Sequence, residues 1–135
     1  GGYAYRESGP ERDGILSGLM TLELMVRTGH SISELIEKLE DLVGPHHYGR
    51  IDVIIDKSQT VDVVKKMRRA NPKQLAGKQV DHVDDQDGFQ FTLQDGHWTL
   101  VRLSGTEPLV RIYAESESPQ SVEQLLKETR ALAGI

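Results

Sequence analysis

"FQFTLQDGHWTLVRLSGTEPLVRIYAE", Phe89 to Glu115, decides what kind of layer this chain builds. Phe89–Leu93, Trp98–Leu103 and Leu109–Glu115 are rich in β-branched and aromatic residues, and the connections between them are of hairpin length. Asp95-Gly96 suits the first connection, because a two-residue hairpin turn asks for positive φ. Consecutive strands joined this way pair antiparallel. The second connection carries more chemistry than a turn needs: Arg102 and Arg111 flank Ser104, Gly105, Thr106, Glu107 and Pro108.

Outward from this core, "SPQSVEQLLKETRALAGI" reads as a closing helix, with Ser118 as N-cap, Pro119 at the first helical position and Val122, Leu125, Leu126 and Leu132 inward. Upstream, "RIDVIID" is a short strand followed by a helix capped by Ser58, with Val61, Val64 and Met67 inward. "NPKQLAG" reads as a connection, and Val80–Val83 as a further strand. The predicted class is α+β: an antiparallel sheet of four to five strands with helices packed on one face.

Two helices precede that layer. Asp13 caps one that ends near Gly29 and carries a wide apolar face from Ile15 to Val26. Ser31 and Glu34 form a capping-box pair for the second, striped by Ile32, Leu35, Ile36, Leu39 and Val43. "GPHHYG" breaks the pattern, so the division falls between residues 1–45 and 46–135. The helices read equally as a hairpin packed on the sheet or as the end of a preceding domain.

The chain has 135 residues, a formal charge of -5 and no cysteine. That excludes disulfides and thiolate metal sites and fits a cytoplasmic protein. No apolar run is long enough to cross a bilayer. Without a basic excess, neither nucleic acid nor an anionic membrane is an expected partner. A small anion is compatible with any net charge.

Strand alternation puts Thr99, Val101 and Leu103 on one face with Val110, Ile112 and Ala114, and leaves Arg102 and Arg111 on the other. Two guanidinium forks beside the Ser104 and Thr106 hydroxyls are donors that a phosphate could use together. Gly105 allows successive backbone N–H groups to curl into an anion nest, and Pro108 stiffens the exit. Glu107, repelled by a phosphate, is expected to point away from it and to brace an arginine. The alternative is an exposed hairpin whose arginines pair with nearby carboxylates.

"RLSGTEPLVRIYAE" resembles the phosphate-binding signature in the last domain of the α-D-phosphohexomutases, the phosphoglucomutase/phosphomannomutase family. "GGYAYR" followed by "PERDGILSGL" resembles the stretch after that family's sugar-recognition loop, in the third of four domains, so the resemblance spans essentially the whole chain. It implies a C-terminal piece: the tail of domain three, a hinge, and a fourth domain similar to the TATA-box-binding-protein fold. It further implies hexose phosphates as partners (glucose or mannose 1- or 6-phosphate and the 1,6-bisphosphate) beside the parent enzyme's other domains. Such enzymes move a phosphoryl group between the 1- and 6-positions through a phosphoserine and a bisphosphorylated intermediate, with Mg2+ held by an aspartate trio. Arg102, Ser104, Gly105 and Thr106 stand where the motif's ligands for the non-reacting phosphate stand, with Arg111 as a supporting contact.

The catalytic residues themselves have no match here. No serine stands in the family's catalytic-loop setting, and no aspartate trio resembles "DGDGDR"; Asp81, Asp84, Asp85 and Asp87 read as a solvated turn. Catalytic residues, metal ligands and cofactors are therefore expected to be none in this chain, and no mutase turnover is expected from it with magnesium and glucose 1,6-bisphosphate present. Where the family often writes a Gly-His-Ile type of tripeptide, this chain has Glu7-Ser8-Gly9, which puts in doubt contacts from that loop to the substrate.

His30, His46, His47, His82 and His97 show no helical zinc-ligand spacing, Trp98 reads as packing, and "KKMRRA" as a helix end whose cations suit the dipole. Two other functions share the sequence features: a stand-alone phosphosugar-binding regulatory module using the same loop, and a nucleic-acid-binding sheet. The second lacks the exposed aromatics and basic stripe it needs.

Overall fold

In the computed structural model, which describes residues 3–6, 9 and 11–135 and only the backbone of Lys57, six strands form one antiparallel sheet. The strands are β1 (His47–Ile54), β2 (Gln74–Leu75), β3 (Lys78–Asp84), β4 (Phe89–Leu93), β5 (Trp98–Leu103) and β6 (Leu109–Ser116), in the spatial order β1-β6-β5-β4-β3-β2. Four helices accompany them: α1 (Gly14–Thr28), α2 (Ile32–Val43), α3 (Lys57–Arg69) and α4 (Pro119–Ala133). The Glu7-Ser8 pair, at which the family pattern and this sequence part, lies outside the described residues. No helix among the described residues is long and apolar enough to cross a membrane.

The chain divides into two compact units, Gly1–Gly44 and Pro45–Ile135. In the first, Asp13 Oδ1 accepts from the Leu16 N–H at 2.8 Å, and Gly29 ends α1 at a φ of 70°. The Ser31 N–H donates to Glu34 Oε2 at 2.7 Å, closing the predicted capping box of α2. Neither helix buries a residue, and Ile15, Leu22, Val26 and Leu42 are all exposed.

In the second unit, α3 and α4 cover one face of the sheet. Phe89, Phe91, Leu93, Val101, Val110, Ile112 and Ala114 meet Val63 and Met67 of α3 and Val122, Leu125 and Ala133 of α4 in a single core. The Thr99 hydroxyl, fully buried, donates to the Tyr113 carbonyl at 2.8 Å and lies 3.0 Å from Thr129 Oγ1, satisfying two polar groups where sheet and α4 meet.

Three expectations need correction. The sheet has six strands because β2 lies inside "NPKQLAG"; Ala76, at a φ of 48°, and Gly77, at 77°, form the two-residue turn into β3. The N-cap of α3 is Asp56, whose N–H donates to Gln59 Oε1 at 2.8 Å, not Ser58. That start puts Val63 inward and leaves Val61 55% exposed.

Candidate functional site

Alternation along β5 and β6 decides where the two arginines sit. Thr99, Val101, Val110, Ile112 and Ala114 are fully buried under the helices, so Arg102 and Arg111 stand on the opposite face. Register makes them direct cross-strand partners, and Arg111 in turn pairs with Asp52 of β1. A transverse row, Asp52–Arg111–Arg102, thus runs across three strands at the end of the sheet where the Ser104–Pro108 loop emerges.

Like charges directly opposite on a sheet repel. Carboxylates offset that repulsion here. Asp87 Oδ2, from the β3–β4 turn, lies 3.2 Å from Arg102 Nη2, and Arg111 Nη2 donates to Glu107 Oε2 at 2.9 Å. Asp52 is committed elsewhere: Arg50 donates to it twice, at 2.7 and 2.6 Å. Those hydrogen bonds hold the Asp52 carboxyl below its ordinary pKa range and raise the Arg50 guanidinium. Asp52 Oδ2 is 3.8 Å from Arg111 Nε, too far for a hydrogen bond, so Nε–H is a buried donor without a partner among the described residues.

The loop is tied down at its base. The Ser104 N–H donates to the Leu109 carbonyl at 3.0 Å, the Leu109 N–H to Glu107 O at 2.8 Å, and the Glu107 N–H to Ser104 Oγ at 3.2 Å. Neither Gly105 nor Thr106 has positive φ, so the loop does not have the alternating right- and left-handed backbone of an αR-αL nest. A Cβ built on Gly105 meets no atom within 4 Å. Nothing among the described residues demands glycine there, and an anion can approach that backbone closely. Ser104 is half-buried and Thr106 exposed, both within the same loop as the arginine pair.

A second polar cluster lies at the far end of β5. Lys78 Nζ sits 2.6 Å from Asp95 Oδ2 and 2.5 Å from Glu117 Oε2, with His97 Nδ1 at 3.0 Å from Asp95 and 3.4 Å from Glu117. Burial opposes ionisation of Asp95, but hydrogen bonds from Lys78 and His97 outweigh it and bring its pKa down to about 2. Lys78, with help from Ser116 and Ser121, holds Glu117 well below the carboxylate range. Among the described residues, Asp95, His97 and Glu117 have potential ligand atoms within 4.8 Å of one another. A lysine ammonium already fills the space between the carboxylates, so this set does not suit a divalent cation.

The remaining candidates take ordinary structural places. His46 contacts Glu115 at 2.9 Å, His82 contacts Asp81 at 3.1 Å, and Trp98 is half-buried on the arginine face. The Tyr5 hydroxyl donates to Ser17 Oγ at 3.2 Å, and Tyr3 is exposed. Glu107 braces Arg111 as expected from the sequence, whereas Asp87 as the partner of Arg102 was missed. Asp87 reads from sequence as part of a solvated turn, and the β4–β5 register, which sets Phe89 opposite Val101, brings that turn to Arg102.

Comparisons with known proteins agree along the chain. Residues 56–132 match the family model described as phosphoglucomutase/phosphomannomutase, C-terminal domain, and residues 1–42 match that of the alpha/beta/alpha domain III. A phosphoglucomutase/phosphomannomutase of Thermococcus kodakarensis is 32% identical over 86% of this chain and 23% of its own length. A probable phosphoglucosamine mutase of Methanothermobacter thermautotrophicus is 31% identical over 87% of this chain and 25% of its own length. The chain thus spans about a quarter of the curated relatives it matches. In fold, it is similar to the open-form crystal structure of pp63/parafusin, a phosphoglucomutase from Paramecium, with a TM-score of 0.68 at 19% identity, over 92% of this chain and 27% of that one.

Proposed function

The chain belongs to the phosphoglucomutase/phosphomannomutase family, and from that premise we propose that its Arg102–Arg111 loop grips the non-reacting phosphate of a hexose phosphate. The observation that carries this reading is the cross-strand arginine pair, on the face away from the core, at the base of a loop with two hydroxyls and an unobstructed glycine. Two guanidinium forks and the Ser104 and Thr106 hydroxyls suit a tetrahedral dianion better than any neutral ligand.

In this reading the chain serves an intramolecular phosphoryl transfer between the 1- and 6-positions of a hexose. Phosphoryl transfer depends mainly on positioning and charge stabilisation. Binding energy at the remote phosphate orients the reacting end, and a loop that reads phosphate shape alone can hold either phosphate of a bisphosphorylated intermediate. The groups that react, and the magnesium the family uses, belong in this proposal to parts of the enzyme other than this chain. Magnesium would not be held by Asp95, His97 and Glu117, where Lys78 is the counter-charge.

An amide-shift titration of this chain with glucose 6-phosphate, then with inorganic phosphate, tests the reading. It predicts the same set of shifted resonances in both titrations, centred on Ser104–Glu107. Unmoved loop resonances at millimolar ligand, or shifts centred on another part of the sheet, would contradict it.

A further inference from the structure

We propose that Glu107 is a displaceable internal counter-ion of the phosphate site: its carboxylate occupies Arg111 and is exchanged for a phosphate oxygen when the anion binds. The inference rests on the phosphate-grip reading and concerns how that grip is set.

Glu107 is joined to two of the proposed phosphate ligands at once. Its carboxylate accepts from Arg111 Nη2 at 2.9 Å, and its backbone N–H donates to Ser104 Oγ at 3.2 Å. Arg111 has no ready substitute acceptor, since its Nε lies 3.8 Å from Asp52, whose oxygens serve Arg50. Arg102 is held by Asp87 in the same manner, at 3.2 Å, from the neighbouring turn. Three arginines (Arg50, Arg102, Arg111) and three carboxylates (Asp52, Asp87, Glu107) therefore share this edge with formal charges that cancel.

A phosphate dianion at Arg111 would lie within a few ångströms of the Glu107 carboxylate, and the two repel. Glu107 can leave: its side chain is 56% exposed, so it gives up a surface ion pair and regains full hydration. Arg111, only 28% exposed and fixed on β6, cannot move as easily. The exchange costs little for a dianion that bridges both arginines. It costs relatively more for a monoanion, which gains less from the pair than it takes from Glu107. Glu107 thus lowers absolute affinity and raises selectivity for the dianion.

The test compares the parent chain, Glu107→Gln and a control, Asp85→Asn, which removes one negative charge from the β3–β4 turn without freeing an arginine. Inorganic phosphate and, separately, acetate are titrated at low ionic strength, following loop amides and the Arg111 Nε–Hε resonance. Glu107→Gln is expected to bind phosphate about fivefold more tightly and to bind acetate measurably, while Asp85→Asn changes phosphate affinity less than about twofold. Weaker or unchanged phosphate binding in Glu107→Gln, beside clear binding by the parent, would make Glu107 a brace and overturn the inference while leaving the phosphate grip intact. An equal gain in Asp85→Asn would reduce the effect to net charge and overturn it too. Absence of phosphate shifts at the loop in all three would overturn the inference together with the reading beneath it.

Discussion

Gly49 of β1 faces α4, where an added Cβ would lie 2.6 Å from Val122 Cγ1 and 3.0 Å from Leu126 Cδ1. Both neighbours are packed side chains of α4, one of them β-branched and short of alternative rotamers. Gly49→Ala should therefore cost about 1 to 3 kcal/mol through overpacking. It would be read as a lower urea midpoint with an unchanged slope. Gly88, at a φ of 122°, is constrained more strictly, because its missing Cβ would also stand 2.6 Å from the Val101 carbonyl. Gly105 contrasts with both, since no atom of the described residues lies within 4 Å of a built Cβ, and it lacks the positive φ of Gly88. The reason for glycine there is sought in what approaches from outside.

Among the elements, the hairpin β4–β5 and strand β6 were readable from sequence because alternation fixes which residues face the helices. Thr99, Val101, Ile112 and Ala114 took the buried side as the period of two requires. The caps at Asp13 and Ser31 were readable as well, since a cap is a local contact. β2 was not, because two residues carry no period and exist as a strand only by pairing with β3. Nor was Asp87, the partner of Arg102, which arrives from another turn through register, whereas Glu107 lies in the same loop as Arg111 and was readable as its brace. The Lys78–Asp95–Glu117 cluster was also beyond local pattern, as it joins three separate segments. Its pH signature follows from its shifts. Asp95 falls from 3.8 to about 2 and Glu117 from 4.5 to a lower value, so their contribution is complete above about pH 4.5 and is lost as pH falls through the folded values. Both side chains are more than a third exposed, which limits the effect to about 1 kcal/mol after screening. Lys78→Met should flatten the decline in stability between about pH 4.5 and pH 2 in acid-unfolding curves. An undiminished decline would assign acid sensitivity to other groups.

At the scale of the molecule, one sheet separates two tasks. Its covered face carries the apolar core with α3 and α4, while its other face carries the charged row at the loop end of β5 and β6. Because the row is set by strand register and not by flexible side-chain choice, the arginines are placed beside one another whenever the sheet forms. The central claim is that they act on a single anion. Isothermal titration of inorganic phosphate into the parent chain, Arg102→Ala, Arg111→Ala and the double variant measures this directly. The account predicts one phosphate per chain, about a tenfold loss of affinity in each single variant, and no measurable binding in the double. A single variant that binds as tightly as the parent, or a stoichiometry of two with each arginine silencing its own site, would contradict it.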